Sequence, residues 1–219
     1  MCIEKNKNVV DFGNVIDKYK ESPKGKKFVG NIKCEDAIWG ALSKGKVLFN
    51  GREKIDGMSF PQCELARNSI VIVVAESPHT AEYSCIKGQS VLFRSPLHKN
   101  DNRIKRYFER NFNDWFDKKL DYDITLVNAI QYQCSFGLPL WGHKKNQLLK
   151  NDVFKYTWEN EPCREDLLKR INNIIADKDN VIIINACTAE LKRYCNSTLF
   201  VSEKNQTFCV YDETHPSRW

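Results

Sequence analysis

A continuous run of apolar, mostly β-branched residues at 70–75 (IVIVVA) constrains the fold of this chain more than any other feature. Such a run is typical of a strand that is buried on both faces, as in a parallel sheet. Three similar runs lie further along the chain, at 124–127, 181–184 and 207–211. The spacing of these runs leaves room for a helix between successive strands. The sequence therefore predicts βαβ units and a parallel sheet.

Helical periodicity fills these intervals. Apolar residues recur at helical spacing over 102–120 and 162–178, and a shorter helix is predicted at 188–194. We therefore predict a three-layer α/β/α fold with a mainly parallel, four-stranded sheet. We also predict one domain over 1–219: an N-terminal arm with helices over 1–60 and an α/β core over 65–219. Within the arm, short helices are predicted at 9–19 and 35–43, and loops at 44–68.

Composition bears on the compartment and the possible partners of the protein rather than on its activity. Of the 219 residues 42% are apolar, which is enough to form a full core. The formal net charge of +6 permits a polyanionic partner without requiring one. The nine cysteines are odd in number and form no CxxC pair, which favours reduced thiols in the cytoplasm. The sequence shows no apolar stretch of the length that a signal peptide or a membrane span needs, so we expect no membrane partner.

Polar residues follow each predicted strand at its carboxyl end. Glu76 follows the first strand, Asn128 ends the second, Asn185 ends the third, and His215 lies shortly after the fourth. In open α/β sheets ligands bind in the crevice beyond the carboxyl ends of the strands. The pattern thus predicts a ligand site at this edge of the sheet. Taken singly, each of these residues has a simpler interpretation, since turn formers and helix caps are also common after strands.

Four segments together resemble the uracil-DNA glycosylase superfamily. They are 75–79 (AESPH), 124–134 (ITLVNAIQYQC), 162–194 and 215–217 (HPS). The first is most similar to the motif of the iron–sulfur branches of that family, with the Glu and the Pro retained. The resemblance covers about residues 65–219 and implies hydrolysis of the N-glycosidic bond between a base and deoxyribose.

The resemblance also implies roles for individual residues. Glu76 positions or activates water and stabilises the cationic sugar, while His215 hydrogen-bonds the oxygen of the leaving base. Asn128 reads the edge of the flipped base, because its amide both donates and accepts hydrogen bonds. Two further side chains are assigned to the base pocket and four residues to the DNA backbone. These are Phe93 as the stacking platform and His79 on the pocket floor, then Ser77, Pro78, Ser217 and Arg218.

The sequence departs from the family pattern in ways that bear on the substrate. Ala75 and His79 stand where the family usually has glycine, and only two residues follow Ser217. Segment 135–161 is long, basic and rich in aromatic residues, which suits an enlarged pocket. We therefore expect the excised base to be uracil or a modified base, such as a modified cytosine in the DNA of an invading phage. We expect the DNA to be duplex or single-stranded and the protein to be a monomer.

No cofactor is expected. A 4Fe–4S cluster needs four convergent thiolates. Cys134 and Cys163 fall near two of the positions that the family uses, but Cys34 and Cys63 are far apart in sequence and no close pair precedes the core.

Two other functions remain open at this point. One is a non-catalytic nucleic-acid-binding module on the same fold. The other is a nucleoside or nucleotide hydrolase that uses the same strand-end site. The sequence contains no P-loop, no GxGxxG after a strand, no HExxH and no GxSxG, which disfavours several common classes of enzyme.

Overall fold

The computed structural model describes residues 36–49, 68–77, 83–86, 90–93, 101–131, 134, 143–160, 162–203 and 208–214. Its strands are β1 (Ala37–Ser43), β2 (Lys46–Phe49), β3 (Ser69–Ala75), β4 (Tyr83–Ile86), β5 (Ser90–Phe93), β6 (Tyr122–Asn128), β7 (Asn180–Asn185) and β8 (Phe208–Asp212). Its helices are α1 (Asp101–Trp115), α2 (His143–Asn160), α3 (Cys163–Ile175) and α4 (Ala189–Glu203).

Six of the strands form one sheet in the order β2-β1-β6-β3-β7-β8. The four predicted strands are present and pair in parallel, as β6-β3-β7-β8. β3 is central, and all seven of its residues are buried, which explains its uniformly apolar sequence. Strands β4 and β5 form a separate antiparallel hairpin. The chain is therefore of the α/β class.

The antiparallel hairpin β1–β2 corrects our prediction for the sheet and for part of the N-terminal region. We predicted a helix at 35–43 and loops from 44, but residues 37–43 and 46–49 are strands. The predicted four-stranded, mainly parallel sheet is therefore wrong: the sheet is six-stranded and mixed. The apolar segment AIWGAL suits a strand as well as a helix, and pairing of β1 with the exposed edge of β6 selects the strand.

Helices cover both faces of the sheet. Helix α1 packs on one face, where Phe108 and Ile104 are fully buried against β3 and β6 residues. Helices α2, α3 and α4 pack on the other face, around Phe154, Leu167 and Leu191. Among the described helices none is long and apolar enough to cross a membrane.

Helix α1 is shorter than the predicted 102–120 because local hydrogen bonds end it. The Asp117 N–H donates to the Tyr122 hydroxyl at 3.1 Å, and the Lys119 N–H donates to the Asp117 carboxylate at 2.9 Å. These bonds give the backbone a turn in place of another helical turn.

The order of the parallel strands locates the crevice for a ligand. In order of sequence they are first (β3), second (β6), third (β7) and fourth (β8), and across the sheet they run second, first, third, fourth. The chain that leaves β3 passes through α1, on one face of the sheet, to β6 on one side of β3. The chain that leaves β7 passes through α4, on the opposite face, to β8 on the other side of β7. The loops after β3 and β7 therefore diverge, and the crevice between them is the topological switch point of the sheet.

The turn of the β1–β2 hairpin gives a test of this part of the fold. Its two residues, Lys44 and Gly45, have positive φ angles of 48° and 78°, as a two-residue hairpin turn requires. We expect Gly45→Ala to lower the free energy of unfolding by about 1–2 kcal/mol, the cost of a left-handed conformation for a residue with a Cβ atom. Lys44→Asn should raise it, because Asn adopts positive φ more readily. Urea unfolding of both variants measures the two changes, and equal shifts of the same sign would contradict the hairpin.

Candidate functional site

Glu76 lies at the switch point. It is the first residue after β3, and the side chain is held at the edge of the sheet with only 5% of the residue exposed. The Glu76 main-chain carbonyl accepts a hydrogen bond from the Ile130 N–H at 3.0 Å, beyond the end of β6. The central strand thus delivers a buried carboxylate to the place where the fold predicts a ligand.

The Glu76 carboxylate also holds the start of helix α4. Its Oε2 atom accepts a hydrogen bond from the Thr188 N–H at 3.0 Å, and Thr188 immediately precedes the helix. The first N–H groups of a helix have no partner within the helix, and the helix dipole favours a negative charge there. The structure therefore shows Glu76 in contact with a helix start, as the simpler interpretation of this residue as a helix cap predicts. The same hydrogen bond fixes the direction of the carboxylate.

Asn128 lies beside Glu76. The parallel register pairs Asn128 with Ala75, the residue before Glu76. The Ala129 N–H donates to the Ala75 carbonyl at 2.7 Å, which continues the ladder one residue past the end of β6. Asn128 is only 1% exposed. The structure therefore brings together two predicted site residues that are 52 positions apart in the sequence (128 − 76).

Arg170 of helix α3 is a residue near this edge that the sequence reasoning missed. Its Nε–H donates to Asp166 at 2.8 Å, its Nη1 group donates to Asp36 at 2.7 and 2.9 Å, and its Nη2 group donates to the carbonyls of Asn128 and Ala129 at 2.9 and 3.3 Å. The only sequence signal for it is the Asp166–Arg170 spacing of four residues, which is common on helix surfaces.

The carboxyl group of Asp36 is strongly affected by its surroundings. Burial raises the pKa of Asp36 above its usual value, and the Arg170 guanidinium acts in the opposite direction. Two charges removed from water gain less from their attraction than the bare distance suggests. The pair therefore adds little to stability, and it lies directly beside the end of β6.

Asn185, the amide at the end of β7, has a structural role. Its Oδ1 accepts from the Cys187 N–H at 3.2 Å, and its Nδ2 donates to the Lys192 carbonyl at 3.3 Å and to the Asn196 side chain. The residue is fully buried. Its three hydrogen bonds close the turn from β7 into α4, so its side chain holds the turn that carries Thr188.

The end of β8 is held by contacts with helix α4 and with the end of β7. The Lys192 ammonium contacts the Asp212 carboxylate at 2.8 Å and the Glu213 carbonyl, and the Glu213 N–H donates to the Asn185 carbonyl at 3.0 Å. On helix α1, which covers the opposite face, burial and the Glu213 carboxylate raise the pKa of the Tyr107 hydroxyl. These contacts fix the chain as far as Glu213, one residue before the described part of this segment ends.

The remaining predicted site residues have the following positions. Ser77 follows Glu76 and is partly exposed, and Phe93 is the last residue of β5, whose side chain is not described. The others lie outside the described residues: Pro78, His79, His215, Ser217 and Arg218.

Four of the cysteines in the described parts of the chain have buried thiols: Cys134, Cys163, Cys187 and Cys195. The Sγ atoms of Cys187 and Cys195 are 3.5 Å apart, and the Cys187 thiol also contacts the Val74 carbonyl at 3.7 Å. Within the described residues no group of three or more His, Cys, Asp or Glu is arranged to hold a metal ion. Cys34 and Cys63 lie outside them, so the expectation of no cofactor stays a prediction.

Comparison with known proteins gives no relative: no protein-family model, no curated protein and no solved structure matches this chain. The resemblance to the glycosylases thus rests on the short motifs and on their positions in the sheet.

The hydrogen bonds of Asn185 give a testable prediction for stability. Asn185→Ala removes both the donor and the acceptor from the β7–α4 turn and leaves a buried N–H group without its acceptor. We expect it to lower the free energy of unfolding by about 2–3 kcal/mol, the usual cost of unsatisfied buried polar groups. Asn173→Ala, on the exposed side of α3, is the matched control and should change stability little. Equal effects of the two variants in urea unfolding would contradict a structural role for Asn185.

Cys187 gives a prediction for reactivity. Burial, the neighbouring Cys195 thiol and the Glu76 carboxylate raise the pKa of Cys187 well above its usual value. The thiolate is the reactive form, so raising the pH from 7 to 9 should leave Cys187 nearly unmodified by iodoacetamide in the native protein. In urea the same thiol should react at the ordinary rate. Mass spectrometry of the peptides measures both rates, and fast native modification at pH 9 would refute this assignment.

Proposed function

We propose that this protein is a DNA glycosylase that hydrolyses the N-glycosidic bond of a flipped base and leaves an abasic site. The observation that carries the proposal is the position of Glu76: a buried carboxylate at the switch point of the sheet, beside Asn128 on the neighbouring strand end. The motif segments of the resemblance support it further. Three of them adjoin or contain strands β3, β6 and β7, and these strands pair in parallel.

The proposed reaction needs a negative charge that is fixed in direction. The bond between C1′ of the sugar and the base nitrogen breaks, the base takes the electron pair, and the sugar becomes cationic. Water then adds its oxygen to C1′, and its proton is transferred away. Glu76 orients this water, accepts the proton and stabilises the sugar cation, while His215 donates a hydrogen bond to the departing base. The Thr188 N–H holds the carboxylate so that it need not reorient during the reaction.

The proposed base pocket suits exclusion of bulk water. Glu76 and Asn128 are both nearly buried, and electrostatic interactions are stronger where water is excluded. Asn128 supplies one donor and one acceptor for the edge of a base. Since Ala75 and His79 depart from the glycines of the family motif, we propose uracil or a modified base as the substrate, with modified cytosines of phage DNA as one candidate. The base must leave the stack to reach these side chains.

One contact favours a second function, a nucleic-acid-binding module without catalysis. Glu76 caps helix α4 through Thr188, and a cap alone is sufficient reason for a carboxylate at this position. The two functions differ in what the charge of Glu76 does, since a cap needs an acceptor oxygen whereas the hydrolysis needs an anion.

Glu76→Gln separates the two functions. The amide oxygen of Gln still accepts the Thr188 N–H, so the fold should persist, whereas the negative charge is lost. We expect base release to fall by about 10²–10⁴-fold, the usual contribution of a catalytic acid or base. The assay uses labelled oligonucleotides that carry uracil, hypoxanthine or modified cytosines, together with DNA from phages with modified bases, and alkali then cuts any abasic site.

The matched control is Glu165→Gln, which removes an exposed carboxylate from the first turn of α3 and should leave the rate unchanged. Base release by the wild type that survives in Glu76→Gln would remove Glu76 from the mechanism. No base release by the wild type on any substrate, with DNA binding that weakens as salt is raised, would favour the binding module. Turnover of free nucleosides would instead indicate a nucleoside hydrolase.

A further inference from the structure

The main-chain N–H and carbonyl groups of Asn128 are both bound by a largely buried ion pair, Asp36–Arg170. Strand β1 begins at Ala37, whose partner on β6 is Leu126, two residues short of Asn128. Within the described residues, the pairing of β1 with β6 thus ends before Asn128. The Asp36 carboxylate accepts the Asn128 N–H, and the Arg170 Nη2 group donates to the Asn128 carbonyl at 2.9 Å. Buried main-chain groups need such partners, and here both belong to a single ion pair.

We infer that the Asp36–Arg170 pair is a positioning device that sets the main chain of Asn128, and that through Asn128 it sets base recognition. The second half of this inference rests on the proposed function. Arg170 is a positioning residue in this account, because it contacts the main chain of the proposed base-reading residue and not the base.

The geometry of Arg170 suits this role. A guanidinium has five N–H donors in a rigid plane. The contacts of Arg170 engage all three of its nitrogens: Nε at Asp166, Nη1 at both carboxylate oxygens of Asp36, and Nη2 at the carbonyls of Asn128 and Ala129. The side chains of Arg170 and Asp36 are only 14% and 15% exposed. A largely buried guanidinium with all three nitrogens engaged leaves the end of β6 little freedom to shift.

The contacts continue from this pair to the proposed catalytic carboxylate. After Asn128, the Ala129 N–H donates to the Ala75 carbonyl at 2.7 Å and the Ile130 N–H donates to the Glu76 carbonyl at 3.0 Å. The segment that Arg170 holds is therefore hydrogen-bonded directly to the main chain of Glu76. A shift of this segment changes the separation of the two site residues, and an error of about 1 Å in such a separation costs about 100-fold in rate.

The pair also gives a role to part of the N-terminal region. Asp36 directly precedes the β1–β2 hairpin. Its carboxylate reaches across to helix α3, 134 residues away in the sequence. The hairpin therefore does more than extend the sheet, because it brings one half of the positioning pair to the candidate site.

The first experiment is a double-mutant cycle between Arg170 and Asn128. Arg170→Lys keeps the charge, but one ammonium group cannot serve both Asp36 and the two carbonyls. We expect it to lower kcat/KM for base release by about 10–100-fold. In an Asn128→Ala background the same change should have little further effect, because the residue that it positions has lost its amide. The neighbouring exposed Lys169→Ala is the control and should leave the rate unchanged in both backgrounds.

Losses that add in the cycle would overturn the inference, since a general effect on folding does not depend on the Asn128 side chain. Urea unfolding shows whether Arg170→Lys and the milder Asp36→Asn are folded. If one variant folds poorly, the other one carries the test. A preference between two bases that stays unchanged in both variants would also count against the inference.

The second experiment needs no catalysis. Amide hydrogen exchange at Asn128 should become about tenfold faster or more in Asp36→Asn, because this N–H loses a charged acceptor, whereas exchange at Ile183 in β7 should change little. Unchanged exchange at Asn128 would overturn the inference even if the protein releases bases. If the wild type releases no base while exchange changes as expected, the proposed function fails and the positioning of Asn128 stands.

Discussion

The parallel pairing of β3 with β6 on one side and β7 on the other is the constraint on which the rest of this structure depends. β3 is buried along its whole length, so the free energy of burial and a complete set of main-chain hydrogen bonds fix its register on both edges. That register places the residue after β3 between the ends of two neighbours. Every contact of the candidate site, from Thr188 on one side to Asn128 on the other, starts from the position of this strand.

The consequence for Glu76 is that its structural role and its proposed chemical role belong to one side chain. The carboxylate accepts the Thr188 N–H, which both satisfies the start of a helix and orients an anion at the edge of the sheet. A helix N-terminus favours a negative charge beside it. This arrangement suits the cationic transition state of the proposed hydrolysis.

The polar groups around this edge divide into two sets by their contacts. Asn185 and Lys192 have side chains that hold a turn and a strand end. Asp36 and Arg170 hold main-chain groups of a proposed site residue. Buried ion pairs add little to stability when compared with apolar packing of the same volume. The position of this pair beside the end of β6 therefore agrees better with a need for geometry than with a need for stability.

The sequence alone predicted the four parallel strands, three of the helices between them, and Glu76 and Asn128 at neighbouring strand ends, but it did not predict helix α2. The physical reason is that the spacing of apolar residues is visible within one short segment and reports which of its faces are buried. The run at 70–75 is continuously apolar because both faces of its strand are covered. The same signals could not decide residues 37–49, because a short apolar segment suits a helix or a strand until it finds the free edge of β6. Nor could they reveal Arg170, whose partners lie at positions 36, 128 and 129. Only the tertiary structure decided which polar residues hold the site and which are available for chemistry, because hydrogen bonds between residues far apart in sequence leave no periodic trace.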